Sequence, residues 1–246
     1  MKATRITALF VLAALLAAPA LADSLITKKS SQEAFMGKPA SEETSTVWVG
    51  KDRMAMAGGA TSVIVRADQK KLYIINTAGK TYSELDLPID LAKYFPAEMQ
   101  AQIAAMIPQL KLTAKVTPTE ETKKIGAWNA KLYKVELTSA ATTVNMDVWA
   151  TKDVALDFTA LRGLESAVQG LGSFGAEEMA KEMGRIEGIE VLKEMTIAVM
   201  GNTLKRREEI VSVETKAAPA GTYEVPAGLT KEAYNPMKAA QGGGGM

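Results

Sequence analysis

The chain of 246 residues contains no cysteine and no histidine. Without cysteine there is no disulfide framework and no thiol nucleophile, and without histidine there is no Ser-His-Asp triad. The same two residue types are the usual protein ligands of zinc and of haem iron, so such metal sites are excluded as well. The chemistry that remains uses carboxylates, lysine or serine, or consists of binding alone.

An excess of charge of either sign is also missing. The chain has 29 Lys and Arg residues against 28 Asp and Glu residues, a formal net charge of +1, and 47% of its residues are apolar. A nucleic-acid-binding domain carries a basic surface, and a disordered chain combines high net charge with few apolar residues. Neither description fits, so we expect one folded domain with a sizeable core.

The first 22 residues have the pattern of a secretory signal peptide. Two cations, Lys2 and Arg5, precede an apolar run over residues 6–18, and Ala20-Leu21-Ala22 forms a small-x-small cleavage site. The apolar run is shorter than the ~20 residues that a membrane-spanning helix needs. We therefore expect cleavage after Ala22 and a soluble periplasmic or secreted product without a transmembrane segment. Because no cysteine follows, the product cannot carry a lipid anchor on that residue.

Short β-rich runs alternate with turn residues between positions 45 and 87. The runs cover residues 46–49, 61–66, 72–75 and 81–85. Strands of this length joined by short turns are typical of an antiparallel meander. The sequence 78–81, Ala-Gly-Lys-Thr, resembles the end of a phosphate-binding loop, but the required earlier glycine is replaced by Ile74. We therefore interpret this stretch as a hairpin turn.

An amphipathic helix is predicted to begin at Pro96 and to end near Pro108. Its apolar residues recur with helical spacing and form one stripe. The stripe is our candidate hydrophobic ligand-binding surface, and it consists of Met99, Ile103, Met106, Ile107 and Leu110. Methionine side chains are flexible and adapt to ligands of variable shape, although a packed core would show the same stripe.

The second half of the chain returns to strands. Alternating apolar residues predict strands over 132–137 and 144–149, glycines divide residues 159–185 into two short helices, and a hairpin over 189–213 turns at Gly201-Asn202. Four glycines near the C-terminus indicate a flexible tail over 235–246. The predicted fold is mainly β (α+β): one domain over 23–234 with a single curved antiparallel sheet, an open half-barrel, and covering helices.

Several residue groups could be offered as sites, and each has a simpler explanation. The methionine pairs Met54 and Met56, or Met179 and Met183, could ligate Cu(I), but their spacing also suits a core. Adjacent carboxylates at 42–43, 120–121 and 177–178 point apart and so form no acid-base pair. The basic clusters at 28–29, 123–124 and 205–207 are interpreted as solvated strand edges that discourage edge-to-edge pairing. We predict no catalytic residues, no metal and no cofactor.

Five runs of the sequence resemble the DUF4412 family of exported bacterial proteins. In order they are Thr46-Val47-Trp48-Val49 with Arg53-Met54, Ser62 to Asp68, Leu72 to Asn76 with Lys80-Thr81-Tyr82, Thr122 to Trp128, and Tyr223-Glu224-Val225-Pro226. That family is more distantly similar to the LolA/LolB-like lipoprotein carriers. The resemblance implies an open half-barrel whose concave apolar face, capped by helices, holds acyl chains.

These observations lead to one preferred function and one alternative. The preferred function is a soluble periplasmic or secreted binding protein, not an enzyme, which holds a lipid or a lipoprotein acyl chain on the concave face of the sheet. The alternative is an envelope interaction or assembly factor that binds a protein partner without a small ligand. An open, unfilled concave face would favour the first, and an apolar patch elsewhere would favour the second.

Overall fold

The structure is a computed structural model, and it describes residues 23–59, 61–110, 112–139, 143–154, 156–169, 176–199 and 202–238. The predicted signal peptide and most of the predicted tail therefore lie outside the described residues. No helix within the described ranges is long and apolar enough to span a bilayer.

The described residues form twelve strands and three α-helices. The strands are β1 Ser24–Gln32, β2 Ser41–Val49, β3 Arg53–Ala57, β4 Thr61–Arg66, β5 Lys71–Asn76, β6 Thr81–Asp86, β7 Thr113–Ile125, β8 Trp128–Thr138, β9 Thr143–Thr151, β10 Ile189–Val199, β11 Asn202–Thr215 and β12 Thr230–Lys231. The helices are α1 Ala97–Leu110, α2 Phe158–Gln169 and α3 Ala176–Met183, and a short 3-10 helix, Leu91–Tyr94, precedes α1.

All twelve strands belong to one open sheet. Its order is β12-β6-β5-β4-β3-β2-β1-β11-β10-β9-β8-β7, and every neighbouring pair is antiparallel except β12 with β6. Strands β6 and β7 follow each other in the chain yet lie on opposite sides of the sheet, so residues 87–112, which include α1, connect one side to the other. The predicted mainly β fold with one curved antiparallel sheet and covering helices is confirmed.

One face of the sheet, which we call the inner face, packs against the helices. Alternate strand residues such as Val47, Val65 and Leu72 are almost fully buried in a core that also contains Leu161 and Leu164 of α2. A second core surrounds α3, where Met183 packs against inner-face residues of β7 to β10. Helices α2 and α3 thus fill much of the inner face with the protein's own side chains.

The opposite, outer face is covered at one end by the chain after β11. Tyr223 is buried there with Ile64 of β4 and Ile75 of β5. The guanidinium of Arg53 lies 4.5 Å from the centre of the Tyr223 ring. Residues 230–231 then pair with β6, so the segment after β11 also protects part of that sheet edge.

Most predicted elements are found, with local differences. Helix α1 continues through Pro108 to Leu110 rather than ending near Pro108. Of the predicted turn residues Gly201-Asn202, Gly201 lies outside the described residues, and Asn202 is the first residue of β11, where it pairs with Val199. Strands β1 and β7 were not predicted, since their sequences SLITKKSSQ and TAKVTPTEETKKI contain few apolar residues. The short strands β3 and β12 were also missed.

Candidate functional site

A row of four aliphatic side chains crosses the inner face near one end of the sheet. Leu137 pairs with Val144, Val144 with Ile197, and Ile197 with Leu204, so the four lie side by side on β8 to β11. Residues paired in this way project from the same face. All four are only partly buried, and Leu137 and Val144 touch the core around α3. With strands ~4.8 Å apart, this aliphatic row is about 14 Å long.

The row continues into a groove at the ends of four strands. The groove has a volume of about 520 Å³ and is lined by the ends of β1, β2, β10 and β11. Met195 and Arg206 lie two residues before Ile197 and two after Leu204, on the same face, and Gln32 of β1 pairs with Arg206. The apolar row and the polar end groove therefore form one continuous surface.

The charges of the end groove are balanced. Arg207 contacts Glu194 at 2.7 Å, and Lys205 lies 3.9 Å from Glu33. The Arg206 guanidinium is 3.1 Å from Glu208. Each of the three cations thus has a nearby carboxylate, so the groove offers hydrogen-bonding groups without a large field of one sign.

Between the groove and α2, half-buried ion pairs form what we call the inner network. Lys28 of β1 contacts Glu165 of α2 at 3.0 Å. Lys193 of β10 lies 3.2 Å from Glu190 and 3.7 Å from Glu208. The exposed fraction of these five side chains is 17–29%. Because both ends of each pair are fixed, the network anchors α2 to the centre of the sheet.

The pKa values in the inner network favour the charged forms. Burial alone would raise the pKa of Glu165, but the charges of Lys28 and Lys193 outweigh it and lower that pKa below its usual value. The charge of Glu190 raises the pKa of Lys193 against the opposing effect of burial. A carboxyl group held ionised in this way is a poor general acid.

The residues predicted as the ligand-binding stripe lie on α1. Met99 and Ile103 are partly buried, and the exposed fraction of Met106 is 39%. None of these three belongs to the three core clusters of the described residues or packs against them. Ile107 and Leu110 lie in the same helix, but their side chains fall outside the described residues. Met99, Ile103 and Met106 are therefore not packed into these core clusters, and the role of the stripe as a ligand surface stays a prediction.

The other sequence motifs are structural. Residues 77–80 form a turn between β5 and β6, in which the amide of Gly79 donates to the Asn76 side chain at 2.8 Å, so the hairpin interpretation is confirmed. Met54 is fully buried in the core, as its core interpretation predicted. Among the described residues, no group of three Asp or Glu could hold a metal ion.

The interpretation of the basic clusters was wrong for two of the three. Lys28-Lys29 on β1 and Lys205 to Arg207 on β11 lie in central strands, and only Lys123-Lys124 lies on an edge strand, β7. Central strands can carry these cations because each cation lies close to a carboxylate. Lys29, for example, contacts Glu42 of β2 at 2.9 Å on the outer face. Sequence reasoning missed the end groove because its polar residues come from four separate segments.

Comparison with known proteins identifies the family of this chain. The model of the domain of unknown function DUF4412 matches residues 30–229. The chain belongs to the DUF4412 family. The resemblance noted from the sequence is confirmed by this match. No curated protein matches the chain.

Three solved structures are similar to the DUF4412 chain at low identity. A structure of PNGF-II is 11% identical over 89% of this chain and 32% of its own, with a TM-score of 0.43, so this chain spans about a third of it. A DUF1329 family protein from Desulfovibrio piger is 11% identical over 86% and 93% of the two chains, with a TM-score of 0.33. An outer membrane lipoprotein-sorting protein domain from Vibrio parahaemolyticus is 8% identical over 83% and 90%, with a TM-score of 0.32.

Proposed function

We propose that this DUF4412 protein binds an amphiphile, with the apolar chain on the aliphatic row and the polar head in the end groove. The observation that carries the proposal is the continuity of the two surfaces. Ile197 and Leu204 belong to the row, and Met195 and Arg206 on the same two strands line the groove. Ligand sites of this kind combine an apolar lining with a few fixed polar groups.

The length and charge of the surface restrict the ligand. A row about 14 Å long suits an extended acyl chain, as found in lipids and in lipoproteins, better than a compact apolar molecule. The inner-face cation beside the head group, Arg206, is already paired with Glu208. Lys205 and Arg207, which project from the outer face at the same end, are paired with Glu33 and Glu194. Such a groove favours a neutral or zwitterionic head group over a strongly anionic one, because an added anion would have to compete with carboxylates already present.

Helix α1 supplies the cover of this site in our proposal. Residues 87–112 connect strands on opposite sides of the sheet, and the apolar stripe with Met99, Ile103 and Met106 is not used by the core. An apolar chain on the inner face would bury part of that stripe. The unbranched methionine side chains suit chains of different length and unsaturation.

The proposal describes binding rather than catalysis, outside the cytoplasm. The half-buried carboxylates Glu165, Glu190 and Glu208 each face a lysine or arginine, an arrangement that stabilises structure and not a proton-transfer site. Export is supported by the signal-peptide pattern of residues 1–22. The exported protein would bind and release acyl-bearing ligands in the periplasm or outside the cell.

Fluorescent fatty-acid binding to the purified protein, with native mass spectrometry of the protein isolated from its own compartment, tests the proposal. Ile197→Glu places a charge in the aliphatic row and is expected to weaken binding by at least about tenfold. Ala198→Glu is the matched control, because Ala198 is the exposed neighbour of Ile197 on β10, projects from the outer face and does not line the end groove. If no lipid co-purifies and both variants bind the probe like the unmodified protein, the amphiphile site is wrong and the protein-partner alternative is favoured.

A further inference from the structure

A second concave region lies at the side of the sheet where β6 pairs with β12, and strands β3 to β5 separate it from the strands that line the end groove. This edge cleft has a volume of about 470 Å³, within the range of small-molecule sites. Its lining comes from β6, the 3-10 helix Leu91–Tyr94, and the chain around β12. The lining residues are Glu84, Lys93, Tyr94, Lys231, Glu232, Ala233 and Tyr234.

Two tyrosines provide the apolar surface of the edge cleft. The rings of Tyr94 and Tyr234 meet edge to face, with centres 5.6 Å apart and an angle of 85° between the planes. The amide of Asp86 donates to the Tyr94 hydroxyl at 3.1 Å, which leaves that hydroxyl able to donate its own proton. Burial raises the pKa of Tyr234, so its hydroxyl stays protonated at neutral pH. The rings are fixed in place before any ligand arrives.

The charged side chains of the edge cleft are also fixed, and they cancel. Glu84 is held by Lys71 on one oxygen and by Lys231 on the other, each at 2.8 Å. Glu232 accepts from the hydroxyl of Thr81 at 2.9 Å. Because the two acidic and two basic lining residues balance, the cleft has no net charge with which to select an ion.

We infer that the edge cleft binds a neutral, hydroxyl-rich ligand of the size of one or a few sugar rings. Sugar hydroxyls match the hydroxyl and ammonium donors of Tyr94 and Lys231, and the C–H faces of a sugar ring pack on aromatic rings such as that of Tyr234. An acyl chain would remove water from these paired charged groups without offering hydrogen bonds in its place, which is costly. This site is independent of the aliphatic row and of the proposed amphiphile binding.

Saturation-transfer NMR and calorimetric titration with the trisaccharides of glucose and of N-acetylglucosamine test the inference on the full chain. We expect binding of at least one trisaccharide, weakened on the order of tenfold by Lys231→Ala and by Tyr234→Ala. Tyr234→Phe keeps the ring packing and should retain most of the affinity. Lys134→Ala is the matched control, because Lys134 is as exposed as Lys231 (58% against 56%) and pairs with Asp147 at 3.0 Å on a distant strand.

Two results would overturn the inference. One is that neither trisaccharide binds at millimolar concentration, and the other is that Lys231→Ala and Tyr234→Ala leave the binding unchanged. Lys231→Ala removes only an exposed side chain on a two-residue edge strand, so it remains informative even where Tyr234→Ala fails to fold. Fatty-acid binding that persists in the same variants shows that the two sites are separate.

Discussion

Replacing Glu165 with glutamine removes one charge from the inner network that holds α2 on the sheet. The Lys28 ammonium is 3.0 Å from the Glu165 carboxylate, and their exposed fractions are 21% and 29%. At that distance two unit charges attract by roughly 5.5 kcal/mol at an effective dielectric constant of about 20. Desolvation of both groups offsets much of this attraction, so we expect Glu165→Gln to lower the free energy of unfolding by about 2 kcal/mol.

A matched pair elsewhere in the sheet isolates the effect of burial. Lys134 and Asp147 are also 3.0 Å apart, but their exposed fractions are 58% and 44%. Exposed pairs contribute about 0–1 kcal/mol, so Asp147→Asn should cost much less than Glu165→Gln. Urea unfolding at neutral pH measures both, and thermal unfolding should show a decrease of roughly 4–8 °C for Glu165→Gln.

The dependence on pH supplies a second readout. The pKa of Glu165 is lower in the folded protein than in the unfolded chain. Its contribution to stability is therefore complete above the unfolded pKa of about 4.3 and is lost as the pH falls through the lower, folded pKa. The stability difference between the unmodified protein and Glu165→Gln should shrink in that acidic range. Equal costs for Glu165→Gln and Asp147→Asn, with a pH-independent difference, would refute the reasoning.

Four further substitutions, at three positions, have defined expectations. Gly188 has a φ of +99°, and a Cβ atom there would lie 2.2 Å from the carbonyl oxygen of Thr151, so Gly188→Ala should lower stability by more than about 2 kcal/mol in urea unfolding. Leu72 is fully buried in the core, and Leu72→Ala should cost about 2–5 kcal/mol in the same assay. The buried Tyr223 hydroxyl has no hydrogen-bond partner among the described residues, so Tyr223→Phe should leave stability within about 0.5 kcal/mol. By contrast, Tyr223→Ala should speed proteolytic cleavage of residues 216–230, whereas cleavage at an unchanged rate would show that Tyr223 does not hold this segment.

Strands β2, β4, β5 and β6 of the meander could be predicted because their local signals agree, whereas the five-residue strand β3 between them was missed. Apolar residues such as Val47, Val65 and Leu72 alternate along short runs, and turn residues separate the runs. The two short helices after β9 could be predicted from the glycines that divide the region. In these places short-range sequence and long-range packing favour the same structure.

Strand β1 could not be predicted because two of the elements it contacts, β11 and α2, are distant in the sequence. Its polar residues become acceptable in a central strand only when Lys28 meets Glu165 and Lys29 meets Glu42. The end groove could not be predicted for a similar reason, since its lining residues come from four segments and no single segment contains enough of them to give a signal. By contrast, the α1 stripe was visible in the sequence, because helical periodicity is local, although periodicity alone does not say what covers it.

The position of β1 has a consequence for how the chain folds. Strands β2 to β6 and β7 to β9 pair mostly with their neighbours in sequence, so each group closes only short loops. The two groups are joined through β1 and β11, where Ser24 pairs with Thr215 and Gln32 with Arg206. Because β1 and β11 are separated by most of the described residues, the sheet is continuous only after this long-range pairing has formed. Until β1 and β11 pair, each of them presents an unpaired edge, and the time that this pairing takes sets how long the unfinished sheet needs protection from aggregation.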